Sequence, residues 1–365
     1  MEDILQIIKK LPKRKIKKII SDPTETAVAI SLVYVNDGTH EGIRRKKRGK
    51  SFSYIYQEKP LKAKDQLSRI KSLVIPPSWE NVWICAFADG HLQATGMDAR
   101  NRKQYRYHPK WNEFRNQTKF YRLLHFGEVL PKIRLQVEKD LSLPGMPRQK
   151  ILAAVISLMQ RTNIRVGNNM YEKLYGSFGL TTLKDKHVEI KGSQVKFCFK
   201  GKKGIMHDID LKNKKLANIV QQCKDIPGKE LFQYYDEQGE RRTIDSGMVN
   251  DYIRQITGED FTAKDFRTWS GTLNAFLAFK ELGLAENDSA AKKNVVAALD
   301  KVAATLGNTR TVCKKYYVHP VVVSLYESNS IEKYFAQLDA IEKDDDKAGL
   351  TGDERILMKI LNQPI

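Results

Sequence analysis

The spacing of apolar residues changes near residue 118, and this change restricts the possible folds of the chain more than any other feature. Before it, residues 80–107 largely alternate between apolar and polar side chains, and Asp89-Gly90 is a typical hairpin turn. After it, apolar residues recur at helical spacing, as in residues 151–159. The pattern predicts a β-rich domain over residues 1–117, with a basic N-terminal arm, followed by a mostly helical domain over residues 118–365.

The helical half is interrupted by a stretch with the two-residue period of β structure. Residues 187–190, 195–199 and 205–211 predict three short strands joined by glycine-containing turns. Farther along the chain, Thr262 is a candidate helix N-cap, and a later helix is expected to stop at Gly307. The expected fold class is therefore α+β, with a small β-rich domain and a mostly helical domain that contains a three-stranded sheet.

Charge points to a polyanionic partner. The chain of 365 residues carries 63 Lys and Arg against 43 Asp and Glu, a net charge of +20. An excess of this size favours association with a polyanion, and we expect duplex DNA. Two runs are especially basic, the candidate arm at residues 11–18 and residues 44–50. We interpret Arg44, Arg45 and Lys46 in the second run as part of a phosphate-contacting loop at a sheet edge.

A second candidate DNA contact lies in residues 101–108, which mix basic, amide and aromatic side chains. This combination suits simultaneous contacts with phosphates and base edges. It also suits a half-buried strand or helix whose tyrosines face the core, and composition does not decide between the two. The candidate contact residues are Arg102, Lys103, Gln104, Tyr105 and Tyr107.

The sequence contains no recognisable metal or nucleotide motif. Its four cysteines are isolated, without a CxxC pair or zinc-ligand spacing, and no GxxxxGK[ST] loop occurs. We therefore expect neither a metal nor a nucleotide cofactor. The longest apolar stretch, residues 27–35, is too short to cross a bilayer. For this reason we expect a soluble protein without a membrane partner. The isolated thiols are typical of a reducing compartment.

Five residues of the helical half have side chains suited to phosphodiester transfer: Arg165, Lys202, Arg267, Asn308 and Tyr317. Two guanidinium groups can hold the charged oxygens of a pentavalent phosphorane. A tyrosine oxygen can attack in line, and a lysine on a hairpin tip can protonate the leaving 5′ oxygen. An amide can add one hydrogen bond. Taken singly, each of these residue types is also common on the surface of an ordinary helix or turn.

In their order along the chain, several motifs together resemble the type IB DNA topoisomerases, especially the compact bacterial and poxvirus-like branch. The resemblance covers roughly residues 30 to 330. The matching segments are IPPSWENVWI at 75–84, RKQYRYHP at 102–109, IRVGN at 164–168, GLTTLKDKHVEI at 179–190, FKGKKG at 199–204, KDFRTWSGT at 264–272, and LGNT with KKYYVHP at 306–320.

The resemblance implies a role for each candidate residue. Arg165 and Arg267 correspond to the two catalytic arginines. Lys202 follows the family's Phe-x-Gly pattern and corresponds to the general acid, with Lys203 as the second choice. Gln104, Tyr105 and Tyr107 correspond to the segment that contacts the major groove.

The nucleophile implied by the resemblance is Tyr317 and not Tyr316, because Tyr317 lies nine residues after Asn308. Many members of the family carry histidine at the position of Asn308. Neutral asparagine can donate a hydrogen bond to a non-bridging oxygen but adds no positive charge. The presence of asparagine instead of histidine at position 308 therefore affects how much this residue contributes to binding the phosphate, while the mechanism is expected to be the same.

The implied activity is relaxation of supercoiled duplex DNA through a transient 3′-phosphotyrosyl bond, without ATP or a required metal. A monomeric two-domain clamp is expected, in the cytoplasm and on the nucleoid if the source is bacterial. A tyrosine recombinase is the nearest alternative, although recombinases typically carry HxxR where this chain has Lys264 in KDFR. A non-catalytic DNA-binding protein would explain the charge but would not require Tyr317.

Overall fold

The computed structural model describes residue 19 and residues 22–49, 51–99, 103–341 and 349–363, except for the side chains of residues 116–121. The chain divides into two compact units, Met1–Arg122 and Leu123–Ile365. This division falls inside one helix, slightly beyond the predicted boundary between residues 117 and 118. The predicted arm at 11–18, Lys50 and Arg102 lie outside the described residues.

The first unit is built on a six-stranded antiparallel sheet with the order β3-β2-β1-β4-β5-β6. A helix, α2, contributes Ile70 to a core formed with apolar residues of the sheet, including Ile43 and Ile84. The elements are α1 (Pro23–Ala29), β1 (Gly42–Arg48), β2 (Ser51–Tyr56), β3 (Lys59–Pro60), α2 (Lys64–Ser72), β4 (Glu80–Cys85), β5 (Leu92–Met97) and β6 (Lys103–Tyr107).

One prediction for this unit is wrong. The basic run beginning at Arg44 was expected to be a loop at a sheet edge, but residues 44–48 belong to β1, which lies between β2 and β4 in the sheet interior. The pairing of β1 with β4 joins segments about forty residues apart, for example Arg44 opposite Trp83. Ile43, at the start of β1, is buried. Burial of this one apolar side chain and the long-range pairing therefore favour a strand despite the polar composition of the run.

The second unit is mostly helical. Its helices are α3 (Pro109–Leu141), which also spans the division, α4 (Arg148–Thr162), α5 (Asn169–Tyr175), α6 (Lys214–Asp225), α7 (Ser246–Thr257), α8 (Ala263–Leu282), α9 (Asp288–Leu306), α10 (Arg310–Tyr316), α11 (Pro320–Glu327), α12 (Glu332–Asp339) and α13 (Gly352–Leu361). Helix α4 lies at the centre, because all of its residues from Ile151 to Met159 are buried.

The predicted three-stranded sheet is confirmed, in the order β7-β8-β9. Its strands are β7 (Val188–Lys191), β8 (Gln194–Lys200) and β9 (Met206–Lys212). Val195, Phe197 and Phe199 on β8 are buried while the residues between them are more exposed, as strand geometry requires when one face meets a core. A short antiparallel pair, β10 (Gln233–Tyr235) and β11 (Arg241–Thr243), was not expected from the sequence.

The predicted helix ends are also confirmed. At the start of α8, the backbone N–H of Thr262 donates to the Asp265 carboxylate at 2.8 Å, and Thr262 is the N-cap. Helix α9 ends at Gly307, whose φ of +56° is the left-handed conformation that glycine adopts without penalty. These two ends matter for the site, because α8 carries Arg267 and the turn after α9 carries Asn308.

Candidate active site

Two arginines are anchored at the C-terminal end of α9. The last carbonyls of a helix have no partner within the helix, and cations near them interact favourably with its dipole. Arg267 Nη2 donates to the Leu306 carbonyl at 2.7 Å, and Arg165 Nη2 donates to the Gly307 carbonyl at 3.0 Å. The end of one helix therefore holds two guanidinium groups side by side.

Arg267 is also tied to the end of α4. Its Nη1 donates to the carbonyl of Asn163 at 2.5 Å, and Asn163 caps α4 in the left-handed conformation. The residue is only 5% exposed, and its Nε has no hydrogen-bond partner among the described atoms. Burial lowers the pKa of Arg267, whereas Tyr317 beside it acts in the opposite direction. A buried guanidinium with an unused donor has the charge and the hydrogen-bonding capacity to bind an anion.

Arg165 lies in the segment that follows α4. Burial, and then the charge of Arg267, lower the pKa of Arg165 to about 10, so it remains a cation at neutral pH. None of the ion pairs among the described residues involves Arg165 or Arg267. Two neighbouring cations without a carboxylate leave their charge available to a ligand.

Tyr317 lies beside Arg267. The guanidinium carbon of Arg267 is 5.3 Å from the centroid of the Tyr317 ring. Tyr317 directly follows α10, and its carbonyl accepts a hydrogen bond from Thr272 Oγ1 at 3.2 Å. Tyr316 differs, because the residue is 38% exposed and the Lys315 ammonium lies 5.3 Å from the centroid of its ring. Of the two adjacent tyrosines, the described contacts put Tyr317 beside the arginines.

Asn308 completes the cluster. Its Oδ1 accepts a hydrogen bond from Arg165 Nη2 at 2.7 Å. Because guanidinium only donates, this contact orients the amide so that Nδ2 is the remaining donor. That nitrogen is buried and has no partner among the described atoms. Asn308 thus presents an unused N–H next to the guanidinium of Arg165.

Comparison with known proteins identifies the family of the chain. Residues 108–345 match the family model for the catalytic core of eukaryotic DNA topoisomerase I, and residues 51–98 match that for the N-terminal domain of bacterial DNA topoisomerase IB. DNA topoisomerase 1B of Acanthamoeba polyphaga mimivirus is 32% identical over 298 residues, which are 79% of this chain and 88% of the viral protein. The chain belongs to the type IB DNA topoisomerases.

A more distant relative agrees. DNA topoisomerase 1B of vaccinia virus strain Copenhagen is 22% identical over 254 residues, which are 69% of this chain and 77% of that protein. The five candidate catalytic residues of this topoisomerase all fall within the segment that matches the catalytic core. The candidate DNA contacts at 44–46 and 102–107 fall outside both matched segments.

Lys202 of the topoisomerase is not in the arginine cluster. It lies in a short 3₁₀ turn, residues 202–204, between β8 and β9, and is exposed. Its ammonium is 5.9 Å from the centroid of the Tyr171 ring on α5. Lys203, the second choice, has a positive φ of +63° in the same turn. Within the described part of the chain, neither Arg165, Arg267 nor Tyr317 hydrogen-bonds to Lys202.

The candidate contacts on β1 differ in their environment. Arg44 forms an ion pair with Glu58. Arg45 donates to the carbonyls of Ile75, Pro76 and Trp79 at 2.7–3.3 Å, and its guanidinium lies 4.2 Å from the Phe52 ring centroid. Lys46 is exposed. Arg45 therefore has a structural role within the first unit, whereas Lys46 is accessible.

The candidate contacts on β6 lie on an edge strand. Tyr105 is 47% exposed and Tyr107 is 37% exposed, so their rings are not in the core. The two rings stack with centroids 6.0 Å apart. Gln104 donates to Asp98 at 3.0 Å, and Lys103 forms an ion pair with Asp37 at 2.7 Å. Arg102 lies outside the described residues.

The described ranges lack two other kinds of feature. They include no group of three or more His, Cys, Asp or Glu side chains arranged to hold a metal ion. Nor do they include a helix with the length and apolar character needed to cross a membrane.

The sequence interpretation missed one residue near the site, His207 on β9. Burial lowers the pKa of His207, and Arg165 and Arg267 are both close enough for their charges to lower it further. Its position five residues after Lys202 carries no signal that distinguishes it from any other strand residue.

Proposed function

We propose that this type IB topoisomerase relaxes supercoiled duplex DNA by cutting one strand through Tyr317 and then rejoining it. The main support is that Arg165, Arg267 and Asn308 meet beside Tyr317 with two buried donors unused, Arg267 Nε and Asn308 Nδ2. A scissile phosphate carries the charge and the acceptor oxygens that these groups lack. Its developing charge would increase in the transition state, where preorganised donors are most effective.

In the proposed cleavage step, Tyr317 Oη releases its proton to solvent and attacks phosphorus, and the bond from phosphorus to the 5′ oxygen breaks. The products are a 3′-phosphotyrosyl bond and a free 5′ hydroxyl. Arg165 and Arg267 bind the non-bridging oxygens, and Asn308 donates one further hydrogen bond. Lys202 protonates the departing 5′ oxygen. Because Lys202 is exposed in a hairpin turn, we propose that DNA binding brings this turn onto the scissile phosphate.

The proposed reaction requires neither ATP nor a metal. One phosphodiester is exchanged for another, so the covalent bond stores the energy needed for rejoining, and torsional strain in the DNA drives relaxation. The two guanidinium groups supply the charge stabilisation that a metal ion provides in other phosphoryl-transfer enzymes. We also propose that the enzyme acts as a monomer, and in the cytoplasm on the nucleoid if its source is bacterial.

Relaxation of supercoiled plasmid in the presence of EDTA and the absence of ATP tests the reaction class. We expect both positive and negative supercoils to be relaxed. Tyr317→Phe removes the attacking oxygen and should abolish relaxation and the covalent adduct, whereas the neighbouring control Tyr316→Phe should retain both. Mass spectrometry of the denatured adduct should identify Tyr317. Strict dependence of strand cleavage on a divalent ion, or an adduct on another residue, would refute the proposal.

A further inference from the structure

His207 lies at the base of the hairpin that carries Lys202. It is the second residue of β9, and its partner in the antiparallel register is Phe199 on β8. The two rings stack with centroids 4.9 Å apart and planes inclined by 20°. His207 is thus fixed in orientation on the strand that leads away from the Lys202 turn.

The His207 ring occupies a narrow space between two glycines. A Cβ atom at Gly201, directly before Lys202, would lie 2.5 Å from Cδ2 and Nε2 of the ring. A Cβ at Gly307, directly before Asn308, would lie 2.7 Å from Cε1 of the ring and 3.8 Å from Arg165 Nη1. Only glycine, which has no side chain, allows the His207 ring to lie this close to the backbone at both positions. The imidazole therefore fills the contact between the lysine hairpin and the turn that holds Arg165 and Asn308.

Hydrogen bonding does not explain the position of the ring. Neither nitrogen of His207 has a hydrogen-bond partner among the described residues. Burial lowers the pKa of His207, and the charges of Arg165 and Arg267 lower it further, so the ring is neutral at neutral pH. Its described contacts are with the Phe199 ring and with the backbone at Gly201 and Gly307, and they depend on its shape.

We propose that His207 is a positioning residue that sets the Lys202 hairpin in register with Arg165 and Asn308. The inference rests on the proposed function, in which Lys202 is the general acid that protonates the leaving 5′ oxygen. A general acid must lie within hydrogen-bond distance of the atom it protonates, and a small displacement of a positioned group costs a large factor in rate. Because Lys202 is exposed, packing around its own side chain does not fix its position, and the hairpin turn needs a supporting contact such as that with His207.

The first test compares single-turnover adduct formation on two DNA duplexes, one with an ordinary 5′ oxygen and one with a 5′-bridging phosphorothiolate. Sulfur leaves without being protonated, so only defects that act through the general acid are rescued. We expect His207→Ala to cleave the ordinary duplex about 10- to 100-fold more slowly. On the sulfur duplex it should approach the wild-type rate, as Lys202→Ala should. Asp208→Ala, the exposed neighbour on β9, is the matched control and should behave as wild type.

The second test leaves His207 in place and disturbs its contact. Gly201 has an ordinary φ of −90°, so alanine is not strained there, but its Cβ would collide with the His207 ring. We expect Gly201→Ala to slow cleavage of the ordinary duplex and to be rescued by sulfur. In the His207→Ala background the collision is absent, so adding Gly201→Ala should have little further effect. This variant tests the inference even if His207→Ala fails to fold.

Two results would overturn the inference. In the first, His207→Ala or Gly201→Ala cleaves the ordinary duplex at the wild-type rate. In the second, their defects persist on the sulfur duplex as that of Arg267→Ala should, which would mean that the ring acts on the non-bridging oxygens or on the fold as a whole. Failure of the proposed function looks different, because wild-type protein would then form no adduct at Tyr317 on either duplex.

Discussion

At the scale of single residues, the site holds positive charge without neutralising it. Arg165 and Arg267 are anchored by backbone carbonyls at the ends of α4 and α9, and carboxylates do not pair with them among the described residues. A carboxylate in that role would compete with a phosphate for the same donors. Carbonyls orient the guanidinium groups and leave their net charge for the substrate.

Asn308 gives a prediction at this scale. Its Oδ1 is occupied by Arg165, so the group available to a phosphate is a neutral Nδ2–H. A neutral hydrogen bond is weaker than one from a cation, and Asn308→Ala should slow cleavage less than Arg165→Ala or Arg267→Ala does. Asn308→His retains a donor and should remain active. Single-turnover rates of adduct formation measure both effects.

The matched control is Asn308→Asp, which keeps the shape of Asn308 and replaces its free donor with an acceptor. This variant should be slower than Asn308→Ala, because its charge pairs with Arg165 and repels the phosphate. A histidine variant that folds and binds DNA but forms no adduct would show that Asn308 does not contact the phosphate.

At the scale of elements, the last helix supports the helix that carries Arg267. Glu354 on α13 is 3% exposed and accepts two hydrogen bonds from Arg134 at 2.7 and 2.8 Å. It also accepts a hydrogen bond from Trp269 Nε1 at 2.9 Å, and Trp269 lies on α8 two residues after Arg267. Helix α13 begins beyond the segment matching the catalytic-core family model, which ends at residue 345.

Removal of the Glu354 charge should destabilise the second unit. Glu354→Ala leaves Arg134 without its carboxylate, and breaking a buried ion pair typically costs about 3–5 kcal/mol of unfolding free energy. Glu354→Gln keeps the shape and an acceptor for Trp269, so its cost should be smaller. Urea unfolding at pH 7 measures both variants. Wild-type stability in Glu354→Ala would show that the network contributes nothing.

The same network gives a pH dependence. Burial raises the pKa of Glu354, but the contacts from Arg134 and the hydrogen bond from Trp269 lower it, and the net shift is downward. A carboxyl whose pKa is lower in the folded state stabilises the protein above its unfolded value of about 4.3 and loses this contribution as the pH falls through the folded value. The stability difference between wild type and Glu354→Gln should therefore shrink on acidification below about pH 4.

At the scale of the whole molecule, the net charge of +20 predicts DNA binding that weakens steeply with salt. The logarithm of the binding constant should fall with the logarithm of salt concentration, with a slope of about −0.9 for each phosphate neutralised. Tyr317→Phe should bind almost normally, because it retains every cation. Affinity that barely changed from low to moderate salt would contradict a phosphate-binding surface. Fluorescence anisotropy with a labelled duplex gives the slope.

The first unit provides a matched pair for this measurement. Lys46 is exposed, so Lys46→Ala should reduce the magnitude of the slope by about 0.9 without loss of stability. Arg45 is held by three backbone carbonyls, so Arg45→Ala should lower the stability of the unit instead. An unchanged slope in Lys46→Ala would remove this residue from the candidate DNA contacts.

Features that depend only on neighbouring residues could be predicted from the sequence. The two-residue period of β7, β8 and β9, the N-cap at Thr262 and the end of α9 at Gly307 are local patterns, and the structure confirms them. The order of the motifs was sufficient to indicate the family, since it requires only the types and spacing of residues. The strand character of β1 could not be recognised, because its pairing with β4 is not local.

The assembly of the site could not be predicted from the sequence, because it depends on contacts between distant segments. Arg267 meets a carbonyl 104 positions away and Arg165 meets an amide 143 positions away, and chain spacing carries no information about such distances. The different environments of Tyr316 and Tyr317, and the space that His207 fills between two glycines, likewise arise from packing between distant segments. Local patterns specify which elements form, whereas burial of their apolar faces against one another specifies which side chains meet.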